Sequence, residues 1–261
     1  MTTIKNYIPS SYILSESFPN ENGIREYFNT VDKKSFYTSL EEKSSKEKTS
    51  ALEKSVEIIG NALEVLDSSS IRNNKDYLVQ LKALEKEFIL NHSTSTVMFS
   101  DVSNDFTNIL QSFQLHYRID RSEFKNELKF WLTPEYSSKK ELALAFADML
   151  ARFAKFKDNI MEKFGMSSSN EIKRFMPSSY GINAVVTAGM KNWKDILLRG
   201  TGFDCDNEVR FVLINLSKTF KARHSNLFMN MMLEDKEGKK FGFDTLKSSE
   251  DAWTKYRIVF A

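Results

Sequence analysis

Ile182-Asn-Ala-Val-Val-Thr-Ala188 runs straight into Met190-Lys-Asn-Trp-Lys-Asp-Ile-Leu-Leu-Arg199. The first stretch is short and β-branched, as buried strands are. In the second, Trp193, Ile196 and Leu197 recur at helical spacing, so a strand passes directly into a helix. Upstream, Thr94 to Phe99 has the same strand character, and Ser103 is placed to cap a helix that turns Phe106, Leu110 and Phe113 inward. Downstream, Asp206 can cap a helix whose inward face carries Val209, Val212, Leu213, Leu216 and Phe220. Leu227 to Leu233 and Tyr256 to Phe260, on either side of an Asp235-Lys-Glu-Gly238 turn, predict paired strands. This alternation predicts a helix-rich α/β (α+β) fold, with a twisted, mostly antiparallel sheet flanked by helices.

Residues 1 to 40 hold Pro9 and Pro19 and aromatics at no clear period, which predicts an irregular arm, and the charged run 41–49 predicts a linker. A single domain is expected over 50–261. Ser50-Ala-Leu-Glu53 reads as a capping box that opens a helical hairpin with stripes Leu52, Val56, Ile59, Leu63, Leu66 and then Tyr77, Leu81, Leu84, Phe88. A second box, Ser138-Lys-Lys-Glu141, opens the longest helix. Its stripe Leu142, Phe146, Met149, Phe153, Phe156, Ile160 reads as core, and Gly165 as its C-terminal cap.

The chain has 261 residues, with 37 Lys and Arg against 35 Asp and Glu. This near-balance supplies no overall field for nucleic acid. The one cysteine, Cys205, has no intramolecular disulfide partner, and three scattered histidines do not make a zinc site. A cytoplasmic protein with neither signal peptide nor membrane span is expected. There is no phosphate-binding glycine loop and no nucleophile elbow. Gly200-Thr-Gly202 reads as a helix cap and turn, and Asp204, Asp206 and Glu208 as helix-capping acids rather than metal ligands. The acids around Cys205 are expected to raise its thiol pKa, and His224 reads as a surface residue.

One ordered set carries more. Pro177 is followed by the strand ending at Thr187, then by Lys191-Asn-Trp193, Leu198-Arg199-Gly200 and Glu208-Val-Arg210. Asn91-His92 and Val102-Ser103 precede it. In this order and spacing the set resembles the flavin-dependent thymidylate synthases, which carry a Leu-Pro, a strand ending Thr-x-Asn-x-Arg, a Leu-Arg, a Glu-Ile-Arg and, upstream, a Glu-His and a Val-Ser. The likeness covers roughly residues 90 to 215. Where that family has Arg-His-Arg-x-x-Ser and then Ser-x-Arg-Tyr, this chain reads Ser112-Phe-Gln-Leu-His-Tyr117 with Ser122-Glu-Phe after it. A shift of three residues aligns His116, with Arg118 and Arg121 nearby. Gly189 and Lys191 stand for the family's Asn and Arg, and Arg199 falls one position early.

The resemblance implies reductive methylation at C5 of a dUMP-type pyrimidine deoxynucleotide, with FAD, methylenetetrahydrofolate and NADPH as cofactors, in a homotetramer. By the same resemblance, His92, His116, Arg118, Arg121, Ser122, Arg174, Lys191, Arg199 and Arg210 are the candidate nucleotide and cofactor contacts, and the catalytic residue stays unassigned. The altered Arg-His-Arg region keeps an alternative open: an inactive protein that uses the same fold for structure or interaction.

Overall fold

A computed structural model of the chain describes residues 3–17, 26, 50–53, 56, 87–113, 116–120, 127–164, 180–248 and 252–260. It is a mixed fold of helices and mainly antiparallel sheets. The central sheet has four strands in the order β2 (Ser10–Glu16), β3 (Thr94–Val102), β6 (Ile182–Gly189), β4 (His116–Asp120), every neighbouring pair antiparallel. Beside it β1 (Thr3–Asn6) pairs in parallel with β5 (Glu127–Phe130). A third sheet joins β7 (Met231–Glu234) to β8 (Lys240–Phe241) and β9 (Arg257–Phe260). Among the described residues the helices with full bounds are α1 (Asn104–Gln111), α2 (Pro134–Ser137), α3 (Lys140–Phe164), α4 (Met190–Gly200), α5 (Asn207–Arg223) and α6 (Ala252–Lys255).

Alternation fixes which face of the central sheet is buried. Val97 and Phe99 on β3, with Ala184, Val186 and Ala188 on β6, point into the core. Trp193 lies over them, fully buried, and its indole N–H donates to the Ser95 carbonyl of β3 at 3.0 Å. Burying a ring of that size stabilises the fold by about 4–6 kcal/mol. Phe99, Phe106, Trp193, Phe220 and Phe228 continue as a chain of ring contacts linking β3, α1, α4 and α5.

β3 would expose Val102 if it alternated strictly. A register shift against β6 between Phe99 and Val102, with Asp101 in the left-handed region at φ 57°, inserts one residue and turns Val102 into the core. The Asn183 side-chain carbonyl accepts the Asp101 N–H at 3.1 Å, and Lys129 pairs with the Asp101 carboxylate at 2.9 Å. The bulge thereby aims Ser103 at the start of α1, where its hydroxyl accepts the Phe106 N–H.

The Ser50 capping box forms in both directions: Ser50 N–H donates to Glu53, and Glu53 N–H to the Ser50 hydroxyl. Glu53 is buried, and its other oxygen accepts from the Asn226 and Leu227 amides. Most of the expected hairpin lies outside the described residues, and so does Gly165.

Three expectations are corrected. Residues 3–16, read as an irregular arm, form two strands, and β2 is an edge of the central sheet. The α3 stripe read as core is divided: Leu142, Met149 and Phe156 are 41–48% exposed, whereas Phe146 and Phe153 pack against a small second core of Phe130, Leu150 and Ala154. The buried face of the helix is centred one residue row away from its most apolar stripe, on Leu150, Ala154 and Lys157. His224, read as a surface residue, is fully buried between Glu16 of β2 at 2.6 Å and the Ser50 hydroxyl at 2.8 Å.

Gly189 closes β6 where the chain before β3 crosses it. A Cβ there would come within 2.7 Å of the Asn91 Cα and 3.0 Å of its carbonyl oxygen, both backbone. Gly189→Ala is expected to lower stability by about 1–3 kcal/mol, read as a lower urea midpoint at unchanged slope.

Candidate functional site

The segments singled out in the sequence meet in pairs. At one end of the central sheet, Asn91 lies against Gly189, and the Met190 N–H donates to the Ser93 carbonyl at 2.9 Å. His92, exposed, precedes β3 there, and Lys191, half-buried, starts α4. His116 pairs with Thr187 in the register of β4 and β6, and Arg118 with Val185. Thr187 in turn shares a hydroxyl–hydroxyl bond of 2.9 Å with Thr96. The N-cap of α4 is Gly189, which offers no side-chain cap, so this helix start carries Lys191 and no acidic residue in its first turn. A helix N-terminus of that kind favours an anion.

The remaining candidates lie elsewhere. Arg199 closes α4, eight residues from Lys191 and so about 12 Å away along the axis. It is exposed and stands over the Phe113 ring. Arg210 is buried; it donates to the Tyr256 carbonyl at 3.1 Å and stacks over Phe203. Its Nε, also buried, has no partner. Lys191, Arg199 and Arg210 thus form no single cluster. Arg121, Ser122 and Arg174 lie outside the described residues. Gly200 is a packing residue: a Cβ there would meet Leu213 of α5 at 2.3 Å.

At the other end of β3, Val102-Ser103 meets Glu208-Val-Arg210. The Ser103 N–H donates to the Glu208 carboxylate at 2.6 Å. The N-termini of α1 and α5 converge on a cavity of about 350 Å³, walled by Ser103, Trp131, Thr133, Tyr136, Phe146 and Glu208. Asp105 and Asp206 also line it, both exposed. Asp206 caps α5 as expected, accepting the Glu208 N–H at 2.7 Å. Trp131 is held from behind by Phe211 and Trp253, at 5.2 and 6.2 Å between centroids. Thr133 is 9% exposed, and its buried hydroxyl has no hydrogen-bond partner among the described residues.

Burial pushes the Glu208 carboxyl up from 4.5 to about 7; the Ser103 hydrogen bond opposes the shift and Asp206 and Asp105 add to it. Raised, cleft-bound carboxyls of this kind are candidates for proton transfer. The sequence reading took Glu208 as a capping acid. Its position four residues before Val212, on the inward stripe of α5, was the available signal. Trp131 and Thr133 had none, because a loop between β5 and α2 brings them in. The Cys205 thiol is raised, by burial first and by Asp204 next, and its S–H donates to the Arg199 carbonyl.

Glu16, His224 and Ser50 follow the order of a nucleophile relay. His224 is fully buried, however, and the Ser50 hydroxyl is engaged as a helix cap, so the trio ties β2 to the end of α5. Among the described residues no group of three or more His, Cys, Asp or Glu side chains could hold a metal ion, and no helix is long and apolar enough to cross a membrane. No family model matches the sequence, and no curated protein matches it.

Glu208 makes stability depend on pH in a defined direction. The unfolded chain loses this proton near 4.5, while the folded one holds it to about 7. Raising pH through that window therefore favours unfolding, by about 3 kcal/mol at most. Glu208→Gln keeps an oxygen for the Ser103 amide and removes the charge. Denaturation midpoints of the wild type are expected to fall from pH 5 to pH 8 relative to those of the variant.

Proposed function

We propose that the chain is a diverged relative of the flavin-dependent thymidylate synthases, acting on a dUMP-type pyrimidine deoxynucleotide in C5 methylation or a related one-carbon transfer. One observation carries this reading: segments far apart in sequence, nominated together by resemblance, meet at one end of the sheet, with Asn91 against Gly189 and Lys191 beside them. The start of α4, with Lys191 and no acid in its first turn, suits a nucleotide or flavin phosphate. Lys191 gives that phosphate a point charge in place of an arginine's planar fork, which predicts weaker binding than a bidentate grip. His92, exposed beside it, can donate to a phosphate or ring oxygen. FAD, when bound, supplies the hydride, and methylenetetrahydrofolate the carbon. In this reading the protein works as a homotetramer in the cytoplasm.

A second reading has its own support. Ile8, Tyr12 and Leu14 are 56–69% exposed along and before the edge strand β2, which suits a protein that uses this fold for interaction instead of catalysis.

A thermal-shift series with FAD, dUMP and methylenetetrahydrofolate separates the two. The enzyme reading expects FAD and dUMP at about one hundred times their Kd to raise Tm by about 5 °C or more. Lys191→Ala is expected to leave the unliganded Tm unchanged and to remove most of the dUMP response. No shift with any of the three rejects the enzyme reading and favours interaction.

A further inference from the structure

We propose that the cavity between the starts of α1 and α5 binds a compact organic cation, an alkylated or protonated amine on a small apolar body. It lies at the end of β3 away from Lys191, so the inference is independent of the nucleotide reading.

Two features of the wall carry it. The first is charge. Glu208 stands in the wall, 8% exposed, and Asp105 and Asp206 stand exposed beside it; among the described lining residues none is basic. Each helix start contributes about half a positive charge, so the acids leave roughly one negative charge facing the cavity while Glu208 is protonated and roughly two once it ionises. A phosphate or carboxylate ligand is therefore repelled. The second is the aromatic surface. Trp131, Tyr136 and Phe146 line the same space, and Phe211 and Trp253 fix the indole in place from behind. Aromatic faces next to carboxylates attract an ammonium through both the ring quadrupole and direct charge. A volume near 350 Å³ admits a small molecule of this kind and excludes a folded peptide.

Glu208 also gives the site a pH dependence. Its carboxyl is held neutral up to about 7, so the negative charge that attracts a cation is complete only above that pH. Asp105 and Asp206 are the other acids facing the cavity, and the wall residues from the β5–α2 loop and α3 are uncharged.

Choline provides the probe and 3,3-dimethylbutan-1-ol its neutral isostere, titrated calorimetrically into the intact chain with Trp fluorescence as a second readout. Choline is expected to bind at least tenfold more tightly than the alcohol at pH 8, and several-fold more weakly at pH 6 than at pH 8. Glu208→Gln is expected to lose that preference. Equal binding of alcohol and choline, unchanged choline binding by Glu208→Gln, or no binding of choline or benzylammonium up to millimolar concentration would each overturn the proposal.

Discussion

The indole of Trp193 is the contact on which the rest of the structure hangs. It fills the space between the sheet and two helices, and its N–H spends itself on a carbonyl of β3. A buried hydrogen bond of this kind adds about 1 kcal/mol, less than the burial of the ring, but it fixes the angle at which α4 crosses the strand. With that angle set, Gly200 lies against Leu213, α5 packs beside α4, and Thr201 reaches the Ile258 amide of β9. A helix placed by apolar contact alone would be free to slide. The directional bond removes that freedom, and the positions of Lys191 at one end and of the α5 start at the other follow from it.

Each end of the sheet acquires a different electrostatic character from the same ingredients. Both offer helix N-termini, which favour anions. At the start of α4 the cap is a glycine and the nearest side chain is a lysine, so the preference stands. At the starts of α1 and α5 the caps are Ser103 and Asp206, followed closely by Asp105 and Glu208, and carboxylates outweigh the two half-charges. Glu208 has no cationic partner to offset its burial, so its proton is retained to near neutrality instead of being released. A structural role does not require a buried acid in a cavity wall; a glutamine would accept the Ser103 amide equally well. That is the physical reason for regarding the residue as functional.

Much of the architecture is legible in local sequence. The strands at Thr94 and Ile182, the helix behind Gly189, the caps at Ser50, Ser103 and Asp206, and the turn before Gly238 all follow from short-range rules, since the partner of each capping hydroxyl or carboxylate lies within three residues. The β4 strand was also within reach, because His116-Tyr-Arg-Ile-Asp120 alternates, although a family alignment drew attention to its charges instead. The failures are instructive in the same terms. The apolar stripe of α3 is a correct reading of periodicity that holds for burial at Phe146 and Phe153 and fails at Leu142, Met149 and Phe156, because helical spacing shows which residues share a face without showing what covers it. His224 reads as solvent-facing because its two partners, Glu16 and Ser50, lie over 170 residues away.

The sequence by itself thus determined the strands at Thr94 and Ile182, the helices that follow Ser103, Gly189 and Asp206, their caps and the helix-rich α/β class, all of which rest on interactions spanning a few residues. Tertiary structure alone decided the cavity, the raised pKa of Glu208 and the separation of Lys191 from Arg210. The physical reason is that desolvation and the sum of nearby charges depend on what the fold brings within a few ångströms, and no local pattern encodes that distance.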